Sequence, residues 1–214
     1  MKKKNPFPKA KPGNRKILQK EETRRVILES ARDLFNELGF SKTSTRAIAE
    51  NASVGTGTVF SHFPDKSSLL IAVLLDDLKA TQDEALKTMP VDSSVCEKFL
   101  HISQYFYLYY SKQPDLSRTL LKEMWFVKGK WGGELISQAH QYGFFIFDLI
   151  KEAKQKGDIH PETDAMLCAR AFFFYYLNVL LEGMNEPEIN IDEMIDRLRD
   201  LLNQLLKGVG PDNY

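Results

Sequence analysis

The chain has 214 residues, of which 43% are hydrophobic and 27% charged, and its formal net charge is zero. That length supports one large folded domain, or a small one followed by a larger one. No run of about 18 uncharged apolar residues occurs, which speaks against a membrane span. The basic start MKKKNPFPKAKPGNRK has no apolar stretch behind it, as a secretory signal would. Cys96 and Cys168 fit reduced thiols in a cytoplasmic protein better than a disulfide framework. The zero charge conceals an asymmetry: residues 1–66 hold 14 Lys+Arg against 7 Asp+Glu, and residues 67–214 hold 15 against 22. A basic first third is the footprint of a polyanionic partner, and an acidic remainder suits a part that faces away from it.

In chain order, Pro6, Pro8, Pro12 and Gly13 among lysines predict a flexible basic tail over residues 1–19. A helix is expected from about Lys20, with Ile27, Ala31, Leu34, Phe35 and Leu38 on one stripe and Gly39 ending it. Residues 44–51 and 56–62 then read as two short helices across a tight turn at Ser53-Val54-Gly55. This is a helix-turn-helix, whose second helix can enter a DNA major groove. Asp65 can cap a fourth helix running to about Leu86, and Met89-Pro90-Val91-Asp92 breaks it. Further helices are expected at about 93–112, 114–128, 133–156, 162–185 and 190–207, with the GKWGGE run at 129–134 as one of the breaks. No strand alternation or internal repeat is present. The expected fold is all-α with about nine helices: a helix-turn-helix domain over 20–66 and a larger helical bundle over 67–214.

The residue types of the helix-turn-helix suit DNA. Thr56 and Gly57 open the second helix with small side chains that let backbone amides approach phosphate. Thr58 and Ser61 offer short hydroxyls, and Val59 a methyl surface suited to thymine. Arg46 is the candidate for a bidentate guanine or phosphate contact. Ser44 or Thr45 could cap the first helix and touch the backbone, while His62 and Lys66 flank the groove as phosphate ligands. Ala47, Ile48, Ala52, Val54 and Phe63 are expected in the small core.

The motifs LFNELGF at 34–40, TSTRAIAENA at 43–52, GTVFSHF at 57–63 and DKSSLL at 65–70 resemble the N-terminal domain of the TetR family of bacterial transcriptional regulators. Three positions depart from the family pattern. Ser53 stands where Gly is usual and a left-handed backbone is needed. Gly55 replaces a capping Ser. Phe60 replaces a Tyr whose hydroxyl meets a phosphate, removing a hydrogen bond worth about 1 kcal/mol.

In the remaining chain, Cys168, Ala171, Phe172, Tyr175, Leu177, Val179 and Leu180, then Met194, Ile195, Leu198, Leu201, Leu202, Leu205 and Leu206, make two helices apolar over wide arcs. The resemblance implies a homodimer formed through about 162–207. It also implies a pocket for a small-molecule effector, and the aromatic-rich middle suits one. Tyr105, Tyr109, Trp125, His140, Phe144 and Tyr176 are the candidate effector contacts; His140 sits on the stripe Ile136-His140-Phe144-Phe147. No metal-ligand spacing, P-loop or nucleophile motif is found, so no cofactor and no enzymatic role are expected.

The reading is a dimeric regulator on a near-palindromic double-stranded DNA operator, released as a repressor by a hydrophobic or aromatic effector. The alternative is a DNA-bound adaptor that controls a protein partner without an effector.

Overall fold

The computed structural model describes residues 12–124 and 129–208, and among these it contains nine helices and no strand. They are α1 (Pro12–Leu38), α2 (Thr45–Asn51), α3 (Thr56–His62), α4 (Lys66–Lys87), α5 (Val95–Ser111), α6 (Pro114–Glu123), α7 (Gly129–Lys156), α8 (Ala165–Asn185) and α9 (Ile191–Lys207). The chain divides into two compact units between Val73 and Leu74. That division lies inside α4, beyond the expected boundary after Lys66.

In the first unit α2 packs on α1 and α3. Ile27, Ala31, Phe35, Ile48, Ala52, Val59, Phe63, Leu69 and Leu70 form its core. Each aliphatic side chain fully removed from water contributes about 1.5–3 kcal/mol. Gly39 ends α1 at φ +78°, its amide bonded to the Phe35 carbonyl at 3.0 Å. The buried Thr43 hydroxyl donates to the carbonyls of Leu34 (3.0 Å) and Gly39 (2.8 Å), satisfying acceptors the helix end leaves open. Helix α1 starts at Pro12, earlier than the expected Lys20 and inside the stretch assigned to the tail. Pro12 fits a first helical turn, and Arg15 to Lys20 are mostly good helix formers, so extending the helix costs little once it is nucleated. Residues 1–11 of the expected tail lie outside the described residues.

In the second unit α7 packs on α8, and α9 packs on both α5 and α8. Ser94, Asp164 and Asn190 cap α5, α8 and α9 through side-chain oxygens. The GKWGGE run, expected as a break, instead opens α7: Trp131 and Gly132 are buried there, and packing outweighs the low helix propensity of glycine. Helix α6 ends at Glu123, short of the expected 128, and residues 125–128 lie outside the described residues. Arg118 Nε donates to the Met184 carbonyl at 2.7 Å, tying α6 to the end of α8, and Arg199 pairs with Glu97, tying α9 to α5. Both cysteines are buried and free.

Candidate nucleic-acid interface and C-terminal clefts

Ser44 is the N-cap of α2, its hydroxyl accepting from the Ala47 amide at 3.0 Å. The cap fixes the start of α2, with Thr45 half-buried and Arg46 projecting into solvent. Arg46 Nε is 2.9 Å from Glu50 Oε1, yet both side chains stay mostly exposed, and so weak a pair leaves the guanidinium available. The turn that follows has Ser53 at φ +54°, the one non-glycine residue with positive φ among those described. Gly55 caps α3 without any side-chain bond. The Thr58 amide donates to the Gly55 carbonyl at 2.8 Å, and the Thr56 and Gly57 amides donate to no cap side chain, a geometry suited to an anion.

Along α3, Thr56, Gly57, Phe60 and Ser61 are exposed, Thr58 and His62 half-buried. Phe60 is 48% exposed, a large apolar ring left on the outer face of the helix. The Ser61 hydroxyl donates to the Thr58 carbonyl at 2.7 Å and retains acceptor capacity.

Two expected DNA contacts are overturned. Val59 is fully buried, so its methyls belong to the small core and cannot meet thymine. Lys66 Nζ donates to the carbonyls of Phe40 (2.7 Å) and Thr43 (2.9 Å) and lies over the Phe40 ring, which turns the ammonium into a clamp on the α1–α2 loop instead of a phosphate ligand. One exposed cation beside the Ser44 cap, Lys42, went unassigned in the sequence reading; its position two residues ahead of a capping serine was the available signal.

In the second unit the aromatic residues separate into an inner cluster and an outward face. Tyr107 donates to the Tyr176 carbonyl at 3.0 Å, and the two rings stack at 5.3 Å with an interplanar angle of 3°. Phe106 packs edgewise on Tyr176, and the rings of Tyr142 and Phe173 lie tilted against it. Burial pushes the hydroxyls of Tyr107, Tyr110, Tyr142 and Tyr176 well above the ordinary phenol range, so they stay neutral. Beside them is a cleft of 80 Å³ whose lining includes Gln82, Tyr110, Gln138, Tyr142, Phe173 and Tyr176, with aliphatic side chains and, among the described residues, no charged one. The Tyr142 hydroxyl and Gln138 Oε1 are buried there without a hydrogen-bond partner.

Of the five expected effector contacts among the described residues, only Tyr176 lines this cleft. Tyr105 instead bonds the Thr88 hydroxyl at 2.8 Å, and Tyr109 is half-buried against Tyr110. His140 and Phe144 are exposed on the outward side, so the stripe through them is not a core stripe. Trp125 lies outside the described residues. Tyr142 and Gln138 were missed because α7 carries two apolar stripes at helical spacing; Leu135-Tyr142-Ile146-Leu149 is the one that turns inward.

The outward stripe borders a larger groove of 610 Å³ between α7 and α8, lined by Ile136, His140, Phe144, Met166, Arg170 and Phe174 among others. Ala139 and Phe173 line both this groove and the inner cleft. On the other flank of α8, Leu167 and Leu206 border a second depression. By length and composition α8 is apolar enough to cross a membrane (mean hydropathy 1.3), with 39% of that stretch buried within the protein. Helix α9 is apolar on one side only, burying Met194, Leu198 and Leu202 against its own chain, and does not have the expected wide arc.

Residues 27–73 match the profile described as bacterial regulatory proteins, tetR family. The HTH-type transcriptional regulator UidR of Escherichia coli (strain K12) is 24% identical over 192 residues, covering 86% of this chain and 93% of that protein. The transcriptional regulator FadR from Bacillus subtilis, solved with stearoyl-CoA, superposes with TM-score 0.69 at 16% identity, covering 87% of this chain and 99% of its own. Thermus thermophilus FadR, solved with lauroyl-CoA, gives 0.69 at 21% identity over 89% and 99%. The capped α2, the turn at Ser53 and the exposed first turn of α3 thus fall within the stretch that matches the tetR-family profile, and the helical second unit resembles the solved folds.

Proposed function

We propose that the protein is a cytoplasmic, homodimeric, ligand-responsive repressor of transcription. The observation that carries this reading is the exposed face made by Arg46, on the Ser44-capped α2, with Thr56, Gly57, Phe60 and Ser61 on α3. Arg46 serves as the charged contact, Thr58 and Ser61 as short polar ones, and the opening amides of α3 as a phosphate seat. Dimerisation places two such faces in successive major grooves of a near-palindromic operator, roughly 34–36 Å apart. The dimer surface is centred on α8. It extends to Ile136 and Phe144 on α7, beyond the expected 162–207, and takes only the last turn of α9.

An effector bound in the second unit that prefers a different spacing of the two α3 helices draws the population off the operator, by no more than its differential affinity for the two states. The unpartnered Tyr142 and Gln138 support a ligand there. The acyl-CoA of the FadR structures is a guide to the kind of regulation and not to this chain's effector.

Selection of a random duplex library by the purified protein tests the reading. Enrichment of an inverted repeat is the expected result; no enrichment above a salt-sensitive background overturns it. The adaptor alternative draws on one observation: at 80 Å³ the inner cleft is well below the roughly 300–1,000 Å³ of ordinary ligand sites.

A further inference from the structure

The inner cleft presents a specific hydrogen-bonding problem. Gln138 Oε1 can only accept, so whatever satisfies it must bring a donor. The Tyr142 hydroxyl can donate or accept, and it belongs to a side chain only 6% exposed. Both atoms are buried without a partner, although native proteins pair nearly all such groups. They stand four residues apart on α7 and line the same space. Among the described residues no Lys, Arg or His lines that space, and the phenols around it are held neutral by burial. A carboxylate or phosphate placed here would be a buried anion without a counter-charge, which is strongly unfavourable.

We propose that the α5–α7–α8 cleft binds an uncharged, hydroxyl-bearing ligand with an apolar body, an alcohol or a phenol, through Gln138 and Tyr142. The ligand hydroxyl donates to Gln138 Oε1 and accepts from the Tyr142 hydroxyl, completing both in one contact. The aromatic walls of Phe106, Phe173 and Tyr176 take the apolar body. The inference deepens the effector reading above and rests on it. It also sets this chain apart from regulators whose ligands carry charge.

The test is thermal denaturation of the full chain against para-alkylphenols and n-alkanols, with matched carboxylic acids and lauroyl-CoA as comparisons, followed by release from the selected operator. Phenols or alcohols are expected to raise Tm with concentration, at least tenfold more potently than the matched acids at neutral pH, and to release DNA. Tyr142→Phe removes an unpartnered buried hydroxyl, so it is expected to raise the Tm of the free protein while weakening phenol binding at least fivefold. Gln138→Met is expected to weaken binding tenfold or more, with its fold verified by unchanged operator affinity.

Stabilisation and release by the acids or by lauroyl-CoA alone would overturn the ligand class and leave the effector reading standing. Undiminished phenol binding in both variants would overturn the assigned residues. No stabilisation by any compound would overturn the effector reading and this inference together.

Discussion

Lys66 holds Phe40 in two ways: its Nζ donates to the Phe40 carbonyl at 2.7 Å and lies 4.3 Å from the centre of the Phe40 ring. A second bond reaches the Thr43 carbonyl. The ammonium thus closes the loop between α1 and α2 from the first turn of α4. Lys66→Met is expected to destabilise the N-terminal unit by about 1.5–3 kcal/mol, the range for a hydrogen bond to a charged group. The salt dependence of operator binding should stay unchanged, because no phosphate contact is lost. A slope that falls by about one would return Lys66 to the DNA-contacting set.

Arg46 should behave in the opposite way. Its pair with Glu50 is solvent-exposed, so Arg46→Ala is expected to change stability by less than about 1 kcal/mol. Operator affinity should fall, with either a reduced salt slope or relaxed specificity at one base. Wild-type affinity in Arg46→Ala/Thr58→Ala would remove both from the reading surface.

Ser53 adopts a backbone conformation that costs an L-residue roughly 1–2 kcal/mol and costs glycine little. Ser53→Gly is expected to stabilise the N-terminal unit by about 0.5–1 kcal/mol, after the greater freedom of glycine in the unfolded chain is set against the relief. Chemical denaturation followed by circular dichroism measures this. A loss of stability would mean the turn is not strained.

The departures that affect the reading surface were legible because the family resemblance marks the backbone each position needs. Ser53 at positive φ, the missing side-chain cap at Gly55 and the capping Ser44 all stand as the residue pattern implies. Val59 and Lys66 were misread because a small domain gives one helix face to its core and the other to DNA, and the side each residue takes depends on the packing of α1, α2 and α4. The inner cleft was harder still. On α7 the stripes through Tyr142 and through His140 both show helical spacing, and only contact with α5 and α8 decides which turns inward.

The buried tyrosines predict alkaline sensitivity. Their hydroxyls titrate higher in the folded protein than the unfolded value of about 10. The folded state therefore keeps protons that the unfolded chain gives up, and stability is fully present below pH of about 10 and lost as pH rises past it. Tyrosinate absorbance and loss of helical dichroism are expected to rise together in the C-terminal unit. Ionisation of these phenols with helicity intact would contradict their burial.

The proposed dimer surface is open to a direct test. Phe144 and Phe174 are 59% and 53% exposed beside the groove between α7 and α8, apolar area that a folded chain gains by covering. Phe144→Glu/Phe174→Glu is expected to yield a folded monomer in sedimentation and to weaken binding to a palindromic duplex by orders of magnitude. An unchanged dimer would move the interface elsewhere.

Ala139 and Phe173 each face two compartments, the tyrosine-lined cleft on one side and the outward groove on the other. A partition one side chain thick is a poor insulator. A ligand filling the cleft would press on Phe173, and the same side chain forms part of the surface a second subunit would meet under the proposed function. Under the proposed function, ligand and quaternary geometry would communicate without a relay of helices, through a side chain that lines both spaces.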